Sequence, residues 1–164
     1  MEKVNPYNQN NKLVTENDII NIMETLNIND FKINNILLYQ RSFVHTSYCH
    51  ELYKDKEGQP LFANIDDSLD LQEISYETME FLGDSFLGNI IANYLYQRYV
   101  NYFNIDEGFL TKLKIRFVCG EQLAYLSNSL NLNQFMIISK HILHNLSIVY
   151  KIYEQMLVDK KINY

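Results

Sequence analysis

Apolar positions recur every three to four residues over most of the chain, the spacing of amphipathic helices. "TENDIINIMETLNI" puts Ile19, Ile20, Met23 and Leu26 on one helix face, with Thr15 as N-cap and Asp18 as the acidic partner of a capping box. "INDFKINNILLYQRSFVHTSY" predicts a second helix, capped by Asp30, with Ile33, Ile36, Leu37 and Phe43 inward. The period is lost in "YKDKEGQPLFANIDDSLDLQEIS". Gly58, Pro60 and a run of charge there predict an exposed loop over about residues 53–75, whose acids Asp66, Asp67, Asp70 and Glu73 face water.

A long helix is predicted from Tyr76 to Tyr99. "NIDEGFLTKLKIRFVCGEQLAYLSNSLNLNQFM" then reads as two helices. Asp106 caps the first, Glu107 lies in its first turn, Gly120 falls at the junction, and the second runs from Glu121 to Leu130. Ile148, Ile152 and Met156 suit a packed terminal helix. The Asn-rich residues 1–14 are expected to fray. The remainder, 15–164, is expected to be one all-α domain of about six or seven helices.

Composition agrees with this pattern. The chain has 164 residues, with only five Gly and two Pro, fewer than turn-rich β architectures use. No apolar run is long enough to cross a bilayer, and the N-terminus lacks the apolar core of a signal peptide. Cys49 and Cys119 form neither a CxxC motif nor a disulfide framework, so a reducing, intracellular and cytoplasmic or nuclear setting is expected. The net charge of −6 excludes gripping nucleic acid by bulk charge. A local basic face or bound metal ions can still bring phosphates in.

The candidate chemistry lies in the long helix, "YETMEFLGDSFLGNIIANYLY". At roughly 100° per residue, Glu77, Glu80 and Asp84 share one narrow sector. Like charges so spaced repel, and partial burial among Met79, Phe81, Leu82, Phe86 and Leu87 adds a desolvation cost. Bound cations, nearby Lys or Arg, or protonation can compensate. Oxygen-only ligands suit Mg²⁺ or Mn²⁺ rather than Zn²⁺. Gly83 leaves the backbone uncovered beside Asp84. Without other information, a solvated acidic helix face explains such spacing equally well.

These residues also carry a family resemblance. From Glu77 to Gly88 the segment resembles the ribonuclease III signature, Glu-x-x-Glu-(Phe/Tyr)-Leu-Gly-Asp-Ser, nearly residue for residue. Upstream, "NNILLYQRSFVHTSY" resembles the family's Leu-x-x-Ala-hydrophobic-Thr-His-x-Ser-Tyr helix. Downstream, "DEGFLTKLKIRFVCGEQLAYLSNSLNL" resembles its Glu-Gly-x-Leu-(Ser/Thr)-x-Leu segment. The resemblance covers about residues 33–140. It implies an all-helical, homodimeric, Mg²⁺-dependent endonuclease domain cutting double-stranded RNA to 5′-phosphate products with staggered ends. By position it makes Glu80 and Asp84 metal ligands and catalytic residues, and places Glu77 beside them near the dimer seam and the RNA path. Phe81 becomes an interface anchor, flanked by Met79 and Leu82. Lys112 and Arg116, four apart on one face, are candidates for the RNA backbone, with Lys114 pointing elsewhere; a solvated face is the equal alternative. His45 is expected to be structural rather than a base, bonded to backbone or carboxyl groups near the signature helix, and Gly83 structural.

The family's second acidic motif, Asp-x-x-Glu-Ala-Leu-hydrophobic-Gly-Ala, has no counterpart here. Glu154 and Asp159 are five apart and do not copy its i, i+3 pair. Either an internal segment near residues 144–147 is lacking, which three intact acids favour, or the motif has been lost naturally. Nothing resembling the family's double-stranded-RNA-binding domain follows, so affinity is expected to rest on the nuclease valley and any partner. The rival expectation is a catalytically incomplete RNA-binding or scaffold domain. More distant is an unrelated helical interaction module.

Overall fold

A computed structural model of the chain describes residues 4–100 and 105–145. It is all-α, and among the described residues there is no strand, only three isolated bridges. No helix among them is long and apolar enough to cross a membrane. The described residues divide into two compact units, 4–15, 34–76 and 136–145 in one and 16–33, 77–100 and 105–135 in the other.

The first unit contains α2, Ile36–Ser42. This helix starts six residues later than the predicted Asp30 cap, because Asn35 provides the cap: its side chain accepts from the Leu37 N–H at 3.0 Å. Asn side chains compete for backbone groups and favour caps over helix interiors, which explains why Asn34 and Asn35 precede the helix rather than join it. After Phe43 the chain takes two short 3₁₀ turns, Thr46–Tyr48 and His50–Tyr53. The core gathers Tyr7, Val44, Tyr48, Cys49 and Ile137, with Leu13, Phe62, Leu69 and Leu71 packed on it. Val44 and Ile137 are fully buried and pair in a parallel bridge, each side chain contributing about 1.5–3 kcal/mol by burial.

One further expectation differs in this unit. The N-terminal residues from Asn8 to Val14 are held rather than frayed. Asn8 and Asn11 are buried, and both side-chain amides donate to the Ile138 carbonyl at 3.0 Å. The Asn11 side-chain oxygen accepts from the Ile138 N–H at 3.2 Å. The stretch 53–75 is a largely exposed loop, as expected, and is anchored near its C-terminal end. The His50 N–H donates to the Gln72 carbonyl, the Gln72 N–H to the Tyr48 carbonyl, and the Tyr48 hydroxyl to the Leu69 carbonyl at 2.6 Å. Its tip is built by Asp55, whose Oδ1 accepts from the Glu57 and Gln59 N–H groups, and by Gly58 at φ 81°, where a side chain would be strained. Its acids Asp66, Asp67, Asp70 and Glu73 are exposed, as predicted.

The second unit contains α1 (Glu16–Thr25), α3 (Glu77–Leu95), α4 (Glu107–Val118) and α5 (Gly120–Ser129), α2 being the Ile36–Ser42 helix of the first unit. In α1 only Ile19 is buried; Ile20 and Leu26 from the predicted apolar face are exposed. α3 ends in a widened π turn, Tyr96–Val100. Asp106 caps α4 as predicted, accepting from the Phe109 N–H at 2.8 Å. Residues 140–145 are helical; the predicted terminal helix at 148–156 lies outside the described residues.

Candidate active site

The site is built on α3. This helix is apolar around much of its circumference, with acids Glu77 and Glu80 in the first turn, where carboxylates complement the positive end of the helix dipole. Its last residue, Leu95, is buried. Along the helix, Glu77, Glu80 and Asp84 lie on the same side as Gly88, Ala92 and Leu95. That side faces α4. Ala92, Leu95 and Tyr96 line a groove of about 290 Å³ with Glu107, Leu110, Thr111 and Lys114. The Lys114 side chain lies over Gly88, where an added Cβ would stand 3.6 Å from both its Cε and Nζ. Because Glu107 sits near the end of α3 and Lys114 near its middle, the helices run antiparallel, and the groove leads toward Asp84.

Glu77, Glu80 and Asp84 are all exposed, where the sequence suggested partial burial. The reason is geometric: the acids occupy the first two turns of α3, before the stripe reaches Gly88 and the groove that α4 covers. A Cβ at Gly83 would meet nothing within 4 Å, consistent with the open backbone expected beside Asp84. No group of three or more His, Cys, Asp or Glu side chains among the described residues is arranged to hold a metal. Glu80 and Asp84, four apart, still offer two hard oxygen donors one helical turn from each other. That set fits Mg²⁺, which keeps several waters and is commonly held by one or two carboxylates together with a substrate phosphate.

The opposite face of α3 is apolar and open. Leu82, Phe86, Ile90 and Tyr94 are at least half exposed there and Met79 is half-buried; Phe81, 79% exposed, lies instead beside the acids, four residues after Glu77. A helix with apolar residues so widely distributed is normally covered.

The basic residues of α4 divide between two faces as expected, but the face turned toward α3 is that of Lys114. Lys112 and Arg116 are exposed on the side of α4 turned away from α3, whereas Lys114, half-buried, points into the groove. The signal was present in the sequence. Lys114 lies seven residues after Glu107 and three after Thr111, so all three share a face. The Thr111 hydroxyl donates to the Glu107 carboxylate at 3.0 Å, fixing the head of that face.

His45 belongs to the other unit and caps a 3₁₀ turn, its Nδ1 accepting from the Ser47 N–H at 3.1 Å and lying 2.8 Å from the Ser47 hydroxyl. A structural role was expected; the partners are a backbone N–H and a hydroxyl rather than a carboxyl group. Glu154 and Asp159, and residues 146–147 of the suspected break, lie outside the described residues.

Comparison with known proteins bears directly on α3. Residues 77–157, beginning at the first residue of this helix, match the model of the Ribonuclease III domain. The chain belongs to the ribonuclease III family. It is 36% identical over 106 residues to Ribonuclease 3 of Zunongwangia profunda, covering 65% of this chain and 36% of that protein. It is 32% identical over 127 residues to Ribonuclease 3 of Mycoplasmoides pneumoniae, covering 77% of this chain and 37% of the relative. It is 29% identical over 137 residues to the Probable ribonuclease 3 of Acanthamoeba polyphaga mimivirus, covering 83% and 24% respectively. The match therefore spans roughly a quarter to two-fifths of the length of these curated relatives.

Proposed function

We propose that this ribonuclease III family chain is a Mg²⁺-dependent endoribonuclease of double-stranded RNA, acting inside the cell as a homodimer and leaving 5′-phosphate products with staggered ends. The observation that carries this reading is the pair Glu80 and Asp84, one turn apart on an open face of the helix that opens the family match. Glu80 and Asp84 would hold the ion, with Mn²⁺ an alternative to Mg²⁺. A Mg²⁺ ion there supplies charge stabilisation and activation of water, which phosphodiester hydrolysis needs and no basic side chain of α3 provides. Glu77, one turn before the pair, lines the approach and helps orient the duplex. The exposed apolar residues of α3, Leu82 and Phe86 beside Met79 on one face and Phe81 beside the acids, support dimerisation through this helix, since a second copy would cover the same residues on both partners. The thiols of Cys49 and Cys119, joined in no disulfide, support a reducing compartment.

The second reading is a duplex-binding or scaffold domain that does not cut. It is favoured by the lack, among the described residues, of a third ligand grouped with Glu80 and Asp84. Incubating the chain with a labelled RNA duplex in Mg²⁺ and in EDTA separates the two. Mg²⁺-dependent shortening of the duplex supports the nuclease. Retention of an intact duplex in both supports the scaffold.

A further inference from the structure

We infer that Lys114, rather than Lys112 or Arg116, is the phosphate-binding cation of the candidate active site, and that the groove between α3 and α4 receives the RNA strand beside the phosphate at Glu80 and Asp84. This deepens the nuclease reading and rests on it.

Position carries the argument. Of the three cations on α4, only Lys114 lies over α3 and lines the groove; its ammonium stands over Gly88, one helical turn from Asp84 on the same stripe. Lys112 and Arg116 lie on the other side of α4. A Cβ at Gly88 would make ordinary contact with the Lys114 Cε and Nζ, at 3.6 Å, and a longer side chain there would reach into the place of the ammonium. The Lys114 stem is half-buried along the groove, which restricts where the ammonium reaches. Among the described residues, no ion pair engages Lys114. Its charge is therefore open to a phosphate brought to Glu80 and Asp84 further along the same stripe.

The chemistry agrees with the overall charge. At net −6 the chain cannot attract a polyanion broadly, so a few placed cations must do so. A lysine ammonium is a compact point charge suited to a phosphate without base readout, and A-form RNA is recognised mainly through its backbone and 2′-hydroxyls. The groove also holds the Glu107 carboxylate, which accepts from the Thr111 hydroxyl and repels phosphate, so among its lining residues Lys114 alone offers a positive charge.

The test is binding of the full chain to a fluorescent RNA duplex of about 20 base pairs, with Ca²⁺ in place of Mg²⁺ because it takes the same oxygen ligands with looser geometry. Kd is followed from about 50 to 200 mM KCl. Lys114→Gln is expected to weaken binding about 5- to 10-fold and to lower the slope of log K against log salt by about one per site. Lys114→Arg should retain most of the slope, and Lys112→Gln should change Kd less than twofold. Gly88→Leu keeps the charge but fills its resting place, and favours the helix, so it serves if Lys114→Gln proves unstable by circular dichroism. It is expected to weaken binding as Lys114→Gln does. Wild-type Kd and slope in both folded variants, or an equal loss in Lys112→Gln, overturns the role of Lys114. A wild-type chain that neither binds nor cuts duplex overturns the nuclease reading itself, and with it the inference.

Discussion

Replacing Asn11 by alanine tests how the N-terminal residues are held. Asn11 is buried and makes two hydrogen bonds to the main chain of Ile138, itself buried. The substitution removes both, at about 1 kcal/mol each. The Ile138 carbonyl keeps its bond from Asn8, but the Ile138 N–H loses its acceptor. An orphaned buried donor costs about 1–3 kcal/mol and accounts for most of the effect. The expected destabilisation is therefore about 2–4 kcal/mol, a fall in Tm of about 4–16 °C for a chain of this size. Urea unfolding followed by circular dichroism gives the free energy, and hydrogen exchange at the Ile138 amide locates it. Gln9→Ala is the control, since Gln9 reaches the Asp66 carbonyl by an exposed bond and should cost less than about 0.5 kcal/mol. If Asn11→Ala costs no more than Gln9→Ala, or leaves exchange at Ile138 unchanged, the N-terminal residues are not held as described.

Further outcomes follow from other sites. Asp106→Ala, which leaves the Phe109 N–H uncapped at the start of α4, should cost about 1 kcal/mol by thermal melting, while Asp106→Asn should recover most of it. Burial pushes the phenols of Tyr7, Tyr48 and Tyr53 above their ordinary 10.0. The native state then keeps protons that the unfolded chain gives up, so their contribution is intact below pH 10 and is lost as pH rises above it. Alkaline titration at 295 nm should show a late-titrating class that disappears on unfolding; its absence in native protein would count against the burial of these rings. Phe81→Asp puts a charge on the most open apolar residue of α3, and sedimentation equilibrium should show dimerisation weakened by roughly 100-fold or more, whereas an unchanged dimer would move the interface elsewhere.

The sequence was most informative where structure is set locally. The extent of α3, the Asp106 cap and the Gly120 junction all depend on neighbours within a turn, and each was legible. Asn8 and Asn11 were not, because the groups that satisfy them lie 130 and 127 positions away, and an Asn-rich stretch without those partners reads as disorder. The exposed loop after Tyr53 was legible, but its anchors, Tyr48 and the Gln72 backbone, were not. At α2, the sequence reading named Asp30 as the cap and passed over Asn35, whose side chain takes that place. In the site, the shared face of Glu77, Glu80 and Asp84 was legible from helical spacing, but their exposure depends on where α4 stops covering the stripe. Lys112 and Arg116 were favoured as a pair because they share a face; which face of α4 meets α3 was set by Leu110, Thr111 and Lys114.

The central claim, that Glu80 and Asp84 form a working metal site, is tested most directly by Asp84→Asn. The substitution keeps the size and exposure of the side chain and removes one charged ligand. Cleavage and binding of the same RNA duplex are measured in parallel for wild type and variant in Mg²⁺. The account predicts that the wild type cuts, and that Asp84→Asn still folds and dimerises but no longer cuts. Equal cutting by both proteins, or duplex binding without cutting by the wild type, would contradict it.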